Sequence, residues 1–408
     1  MEKWRQTVQV APRPINLRTD IIRFTVTKDP RLLCTMLYPS FQRREIVSPL
    51  PGKPTYDFFW SRNALYHGLR ALGISSGDNV LVPAFFCATP LEAILQYGAK
   101  VKFYNIRRDC SPDFGDLETK IDQHTRAVLA VHYFGFPGPM RQFQELCKAY
   151  HLYLIEDCAH VLIGECAGAA LGSFGDISIF SWRKFLPVYD GGHLVINNPR
   201  LHVDVPWVKH SLFFSLKVAK NIFDKLLDDS SSKVIKTISH LLQLPLAMGR
   251  PLLLGGQSQL RAITINNRSG DFDISLINLH MSALSRYIIQ GLDIPAIFEK
   301  RRSNAVYLLD VLKSLPRISP FFPEIPDGVC PWVFPILAEG QQDFHLALRT
   351  RGIPAVTWGD CIHSTLPIEE FPDAEFLYRN LVLLPTHQSL EKSDMQDIIK
   401  IMGEVKHN

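Results

Sequence analysis

The sequence predicts an α/β fold in which a mostly parallel sheet is covered by helices on both faces. From residue 60 to about residue 200, short apolar runs alternate with segments that have helical spacing. Several of the apolar runs end in polar residues. This alternation is typical of parallel sheets, because each crossover helix packs on one face of the sheet. A chain of 408 residues is long enough for two or three structural units, each with its own core.

The elements of this sheet can be followed in order along the chain. NALYHGLRALGI (63–74) has apolar residues at helical spacing and leads into a short strand, VLV (80–82). The helix TPLEAILQYGA (89–99) then precedes the strand KVKFYNI (100–106), and the helix PMRQFQELCKAYH (139–151) separates the runs TRAVLAVHYFG (125–135) and LYLIEDCAH (152–160). DISIFSW (176–182) and GHLVINN (192–198) supply two further strands.

The segments on either side of this region differ from it. Residues 1–58 are rich in proline with little periodicity, and residues 203–270 interrupt the alternation with helical, apolar segments. From about residue 285 a long helical pattern leads to a unit with the strand CPWVFPILAE and the helix EKSDMQDIIKIMGEV. We therefore expect an N-terminal extension (1–58), a large domain (59–285) with a helical insert at about 203–270, and a small α+β domain (286–408).

Composition narrows the function classes. A net charge of +4 is small for this length and does not suggest nucleic acid binding. The eight cysteines form no CxxC pair, and the N-terminus has no apolar signal core, so we expect a cytoplasmic protein. The most apolar tract (238–256) is interrupted by polar residues and prolines, so no apolar run in it approaches the roughly 20 residues that a membrane-spanning helix needs.

Polar side chains at the ends of the predicted strands are candidates for one site, because ligands of such sheets bind at the carboxyl ends of the strands. They are His132, Glu156, Asp157, His160 and Lys184. Each has a simpler interpretation: a carboxylate after a strand often caps the next helix, and a lysine often lies along an apolar surface with its ammonium in water.

The pair of Asp157 and Lys184 is more specific than either residue alone. Pyridoxal phosphate needs a lysine amine for a covalent link and an acid that keeps its ring nitrogen protonated. Its phosphate needs donors at a helix start, and Ser61, Arg62 and Asn63 stand directly before a predicted helix. Helix capping remains the simpler interpretation of Ser61 and Asn63, whereas an arginine at a helix N-terminus opposes the helix dipole unless an anion binds there.

Three motifs resemble those of the DegT/DnrJ/StrS-type sugar aminotransferases, which have the fold type I architecture of pyridoxal-phosphate enzymes. They are SRNALYHGLRALGISSGDNV, VPAFFCATPLEAILQYGAKVKFYNI and EDCAHVLIGECAGAALGSFGDISIFSW. The resemblance runs from about residue 58 to the C-terminus and leaves the helical insert outside. It implies a large domain with a mostly parallel sheet and a smaller C-terminal domain.

The resemblance also assigns residues. It implies that Asp157 pairs with the pyridine nitrogen, His160 contacts the 3-hydroxyl group and Ser181 binds phosphate. Lys184, seven residues before Gly191, stands where the family has its covalently bound lysine. Asn278, which opens NLHMSAL (278–284), would contact the phosphate of the partner subunit across a homodimer interface.

This sequence departs from the family at several positions. The usual Gly-Thr of the phosphate loop is Ser61-Arg62, and the usual arginine of the NLHMSAL motif is His280. Cys87 aligns with the aromatic residue that stacks on the cofactor ring, which leaves Phe86 or Phe85 to cover that face. The histidines have no HxH or HExxH spacing, so we expect no metal site.

The expected function is that of an aminotransferase that moves an amino group from glutamate or another amino acid to a keto group of a nucleotide-linked sugar. Two alternatives stay open. One is a related cofactor enzyme, either an aminotransferase for a non-sugar ketone or a sugar dehydratase, although the dehydratases of this family carry histidine in place of the lysine. The other is a non-catalytic dimeric homologue, which would be expected to lack Lys184 or Asp157, and both are present.

Overall fold

The computed structural model describes residues 26, 29–32, 48–228, 272–313, 318–341, 343–358 and 362–405. Most of the predicted N-terminal extension and the apolar tract at 238–256 lie outside the described residues. The strands are β1 (Thr55–Phe58), β2 (Asn79–Pro83), β3 (Lys100–Tyr104), β4 (Thr125–Val131), β5 (Tyr153–Cys158), β6 (Glu165–Cys166), β7 (Ala169–Ala170), β8 (Ile177–Ser181), β9 (Gly192–Ile196), β10 (Ser319–Pro320), β11 (Val333–Leu337) and β12 (Leu381–Pro385).

The α-helices complete the alternation. They are α1 (Ser61–Ala71), α2 (Ala88–Tyr97), α3 (Phe114–Lys120), α4 (Met140–Ala149), α5 (Leu212–Asp228), α6 (Ala283–Gln290), α7 (Ile294–Leu312), α8 (Phe344–Thr350), α9 (Pro372–Asn380) and α10 (Lys392–Glu404). The predicted helix and strand order from residue 60 to residue 200 is therefore confirmed.

A seven-stranded sheet forms the core of the large unit, in the order β1-β9-β8-β5-β4-β2-β3. From β8 to β3 the neighbouring strands are parallel, and β9 runs antiparallel to both β8 and β1. All five residues of β8 are buried, as expected for a strand whose two faces are both covered.

Close packing of α1 on the sheet depends on Gly68. A Cβ atom there would lie 2.5 Å from Cδ1 of Ile177 and 3.3 Å from Cδ1 of Leu194. Since Cβ atoms do not approach other carbon atoms so closely, a larger residue would require the Ile177 side chain on β8 or the helix itself to shift. The start of α1 lies beside the edge of the sheet where β1 and β8 end, so this packing also positions the residues around Ser61.

A three-stranded antiparallel sheet, β10-β11-β12, forms the core of the C-terminal unit. Arg301 on α7 is 1% exposed and connects this unit to the large one. Its guanidinium donates to the Phe185 carbonyl (3.1 Å), the Trp332 carbonyl (3.0 Å) and Oε1 of Gln388 (2.9 Å). Three bonded acceptors satisfy much of a buried guanidinium, so Arg301 joins the two units rather than destabilising them.

The described part of the predicted insert contains α5. Phe214, Val218 and Ile222 are buried at a spacing of four residues, so one face of α5 packs on the core. In the described residues, every helix is too short or too polar to span a bilayer.

Candidate active site

The carboxyl ends of β1, β2, β4, β5 and β8 lie at one edge of the large sheet, because these strands run in the same direction. Candidate residues stand at or just after these ends, namely Ser61, Phe86, His132, Asp157, Ser181 and Lys184. β9 runs the other way, so the Gly191-Gly192 pair that begins it lies at the same edge. This arrangement agrees with the expectation that ligands bind at this edge.

Lys184 ends a short 3-10 helix, Trp182–Lys184, directly after β8. Its side chain is half-buried, and Nζ lies 4.9 Å from the ring centroid of Trp332. Loss of water around the ammonium is the largest cause that lowers the pKa of Lys184. Cys87 and Asp157 act in the opposite direction, while the neighbouring Arg183 lowers the pKa further. A larger fraction of this amine is therefore unprotonated near neutral pH than for an ordinary lysine.

Asp157 is buried at the end of β5 and holds a carboxylate with few hydrogen bonds. Within the described residues its side chain accepts one, from the Ala159 N–H at 2.8 Å. Burial raises the pKa of Asp157, whereas the charge of Lys184 and the bond from Ala159 lower it. The carboxylate thus retains acceptor capacity for a cationic ligand.

His160 lies nearly parallel to two aromatic rings. The Phe134 ring has its centroid 6.1 Å from that of His160, with 4° between the ring planes. For the Trp332 ring the centroid distance is 4.3 Å and the angle between planes is 15°. The Phe134 N–H donates to Nδ1 of His160 at 3.3 Å, so in the neutral ring the proton is on Nε2. Burial lowers the pKa of His160 well below its ordinary value, with Lys184 adding to the effect. His160 is therefore a neutral side chain with an Nε2–H to donate.

Glu156 and His132 form a separate network, although they are neighbours of Asp157 in sequence or sheet. His132 Nε2 lies 2.8 Å from Glu156 Oε1, and both side chains are fully buried. The glutamate also accepts N–H bonds from the loop at residues 172–175, and His132 Nδ1 accepts one from Gly138. Ligand atoms of His132, Glu156 and Cys158 lie within 4.8 Å of one another, but this network already uses the histidine and carboxylate acceptors.

The start of α1 places a second group of residues at this edge of the sheet. Trp60 precedes the helix without a side-chain capping bond, and the Arg62 guanidinium lies 3.9 Å from its ring centroid. Asn63 donates from Nδ2 to the Leu276 carbonyl at 2.7 Å. A Cβ atom at Gly192 would lie 2.2 Å from the Ser61 nitrogen. The second glycine of the pair therefore lets β9 pass directly behind the first residue of the helix.

Comparison with known proteins shows which family part of this chain resembles. A model of the DegT/DnrJ/EryC1/StrS aminotransferase family matches residues 61–211. This segment, about a third of the chain, is similar to that family. The matched segment contains Ser61, Asp157, His160, Ser181 and Lys184.

Two proteins with similar sequences match different lengths of this chain. GDP-perosamine synthase of Escherichia coli O157:H7 is 38% identical over 142 residues, which are 34% of this chain and only 39% of that protein. dTDP-4-dehydro-2,3,6-trideoxy-D-glucose 4-aminotransferase of Saccharopolyspora spinosa is 25% identical over 353 residues, 82% of this chain and 80% of that protein.

A solved structure resembles this chain in fold over a longer range than residues 61–211. The aminotransferase PseC of Helicobacter pylori, involved in the biosynthesis of pseudoaminic acid, superposes with a TM-score of 0.61 at 20% identity and covers 87% of each chain. The likeness concerns the fold, and it confirms the predicted fold class.

Asn278 lies outside the DegT/DnrJ/EryC1/StrS segment and contacts it from the same chain. Its Oδ1 is 3.1 Å from Nε2 of His67 on α1, and its carbonyl accepts from the Val208 N–H at 3.0 Å. Phe85 and Phe86 are both buried, and Tyr378 of the C-terminal unit donates to the Phe86 carbonyl at 2.7 Å. The predicted contact of Asn278 with a partner's cofactor, and of Phe86 with the ring, remain predictions.

Two residues at this edge were not singled out by sequence reasoning. Asp190 is buried and accepts from the Ser282 N–H (2.8 Å) and from the hydroxyls of Ser282 (2.7 Å) and Ser285 (2.9 Å). It thereby ties the loop after Lys184 to the start of α6. Trp332, from the C-terminal unit, contacts both His160 and Lys184. Periodicity could place it before a strand but could not indicate these partners.

Proposed function

We propose that this chain is a pyridoxal-phosphate-dependent aminotransferase. It would move an amino group from an amino acid, glutamate in the first instance, to a keto group of a nucleotide-linked sugar in cell-surface polysaccharide or secondary-metabolite biosynthesis. The observation that supports this most is the grouping of Lys184, Asp157 and His160 at one edge of the sheet. The names of the relatives, which are sugar aminotransferases and synthases, also support it.

The side chains fit such a cofactor chemically. Asp157 has free acceptor capacity for a protonated ring nitrogen, and His160 has an Nε2–H for the ring hydroxyl oxygen. Ser61, Arg62 and Asn63 at the start of α1, together with Ser181, would hold the phosphate, with Asn63 contributing alongside its bond to Leu276. Phe86 remains our candidate for a ring contact. When bound, the cofactor supplies an electron-withdrawing ring that stabilises negative charge on the substrate carbon.

The protein's own part in the reaction is proton transfer and charge placement. Lys184, with its lowered pKa, would take a proton from the donor carbon and return one to the acceptor carbon. Asp157 would stay ionised beside a cationic partner, which offsets the effect of its burial. The neutral His160 would donate without adding a positive charge next to Lys184.

We also propose a cytoplasmic homodimer with the domain boundaries expected above, in which Asn278 of one subunit contacts the phosphate bound by the other. Mixing an inactive Lys184→Ala chain with an inactive Asn278→Asp chain would then restore activity. One hybrid site would contain both native residues. No recovery after verified subunit exchange would assign Asn278 to its own subunit or away from the cofactor.

The activity itself is tested with the purified protein loaded with pyridoxal phosphate. Glutamate should abolish the visible absorbance of the cofactor, and a nucleotide-linked ketosugar from a panel should restore it. Non-sugar ketones provide the comparison. Restoration by a simple ketone but by no ketosugar would overturn the sugar assignment. No response to any amino donor would overturn the aminotransferase assignment.

A further inference from the structure

Trp332 is placed at the boundary between the two units, just before β11 of the C-terminal sheet. Its N–H donates to the Phe134 carbonyl of the large unit at 2.8 Å. Its carbonyl accepts from Nη1 of Arg301 at 3.0 Å and from the Thr386 hydroxyl at 3.4 Å. With donor and acceptor both bonded, the backbone of Trp332 is fixed in relation to both units.

The loop of the large unit is shaped to allow this approach. Gly135 has φ +97°, and a Cβ atom there would lie 2.5 Å from the Cys330 carbonyl oxygen and 3.2 Å from the Trp332 nitrogen. A larger residue would be strained by its backbone conformation and would also separate the two segments. The backbone that carries the indole is therefore held from both sides of the boundary.

The indole contacts two side chains that carry the proposed chemistry. It stacks on His160 at 4.3 Å and 15°, and Phe134 lies nearly parallel to the same ring at 6.1 Å and 4°. It also lies 4.9 Å from Nζ of Lys184, within the range of a cation–π interaction. Trp358, by comparison, meets His160 at a 47° tilt, so the parallel contacts are those from Phe134 and Trp332.

We propose that Trp332 is a positioning residue for Lys184 and His160, holding the Lys184 ammonium by a cation–π contact and fixing the plane of the His160 ring. An ammonium over an indole face is stabilised relative to the neutral amine. Trp332 thus acts on Lys184 in the same direction as Asp157 and Cys87, and against burial and Arg183. Because the inference concerns the amine and the ring themselves, it holds for the protein before any cofactor binds.

The test measures the pKa of the Lys184 amine in the cofactor-free, full-length chain. Competitive acylation with acetic anhydride over a range of pH, followed by peptide mapping, follows this one amine. Trp332→Leu keeps an apolar side chain but removes the π face, and Trp332→Phe keeps a weaker one. Trp207→Leu is the matched control, since Trp207 also stacks on a histidine, His280, at 3.6 Å and 15°.

We expect the pKa of Lys184 to fall by about 0.5 to 1.5 units in Trp332→Leu, which is the strength of a cation–π contact converted to pKa units. The fall should be smaller in Trp332→Phe and absent in Trp207→Leu. An unchanged pKa in Trp332→Leu, or equal falls in the Leu and Phe variants, would overturn the proposal. If the Leu variant does not fold, an unchanged pKa in Trp332→Phe overturns it. Because no cofactor is present, failure of the proposed aminotransferase activity leaves this result unaffected.

Discussion

Glu156 and Asp157 are consecutive buried carboxylates on β5 with opposite surroundings. Glu156 accepts three backbone N–H bonds from the 172–175 loop and one contact from His132. Asp157 accepts one N–H bond, from Ala159, and has Lys184 as the nearby cation that most lowers its pKa. Successive residues of a strand point to opposite faces, so one carboxylate stabilises a loop and the other faces the candidate site. The number of bonded donors distinguishes a structural carboxylate from one available to a ligand.

The largest expected effect is on turnover, when Lys184, the cation near Asp157, is removed. Lys184→Ala should reduce turnover by at least about 10²–10⁴-fold, the usual contribution of a positioned acid or base, while the fold is retained. Turnover is measured as activity on the best substrate pair of the panel. Retention of the fold is checked by the far-ultraviolet circular dichroism spectrum. Lys148→Ala, at an exposed lysine near the end of α4, is the control. Measurable turnover near the wild-type rate in Lys184→Ala would assign the base to another residue.

Asp157→Asn tests whether the charge of the carboxylate that faces the site is needed for activity. The amide is isosteric but uncharged, so it cannot keep a ring nitrogen protonated. We expect a loss of about 1.5 to 3 kcal/mol, the value of a hydrogen bond to a charged group, or roughly one to two orders of magnitude in kcat. The melting temperature of the cofactor-free protein should change little. Near-normal kcat would contradict the assigned role.

Glu156→Gln should show the reverse pattern. Replacing one carboxylate oxygen by an NH₂ group points a donor at backbone N–H groups or at His132, and weakens the charge-assisted bonds. The free energy of unfolding should fall by about 1.5 to 3 kcal/mol in urea denaturation. Glu92→Gln is matched, since Glu92 also lies 2.8 Å from a histidine, His363, but its side chain is 22% exposed rather than fully buried, so we expect a smaller loss. Equal losses in both variants would refute the distinction.

The smallest expected effect is on pH dependence. The folded pKa of His160 lies well below its ordinary value, so below about pH 6.5 the unfolded chain binds a proton that the folded chain does not. His160 therefore lowers stability as pH falls through and below 6.5, by up to about 1.4 kcal/mol per pH unit. His160→Gln should reduce the slope of unfolding free energy against pH in this range. An identical slope in the variant and the wild type would mean that His160 titrates normally.

The sequence predicted the sheet and much of its functional edge because both depend on local patterns. Apolar runs and turn residues mark each strand, and the direction of parallel strands gathers Asp157, His160 and Lys184 at one edge. Because successive side chains of a strand point to opposite faces, the sequence could also have shown that Glu156 and Asp157 do not face the same site. We nevertheless placed both in one candidate site. Trp332 and Asp190 could not be found this way, since their partners are about 90 to 170 residues away in sequence and depend on how the units pack.

The claim that most of this account depends on is that Lys184 binds pyridoxal phosphate covalently. Borohydride reduction of the cofactor-loaded protein, followed by proteolysis and mass mapping, identifies the labelled residue directly. The account predicts a pyridoxyl group on the peptide that contains Lys184 and no label in Lys184→Ala. A label on Lys148 or on any other lysine, persisting in the Lys184→Ala variant, would contradict it.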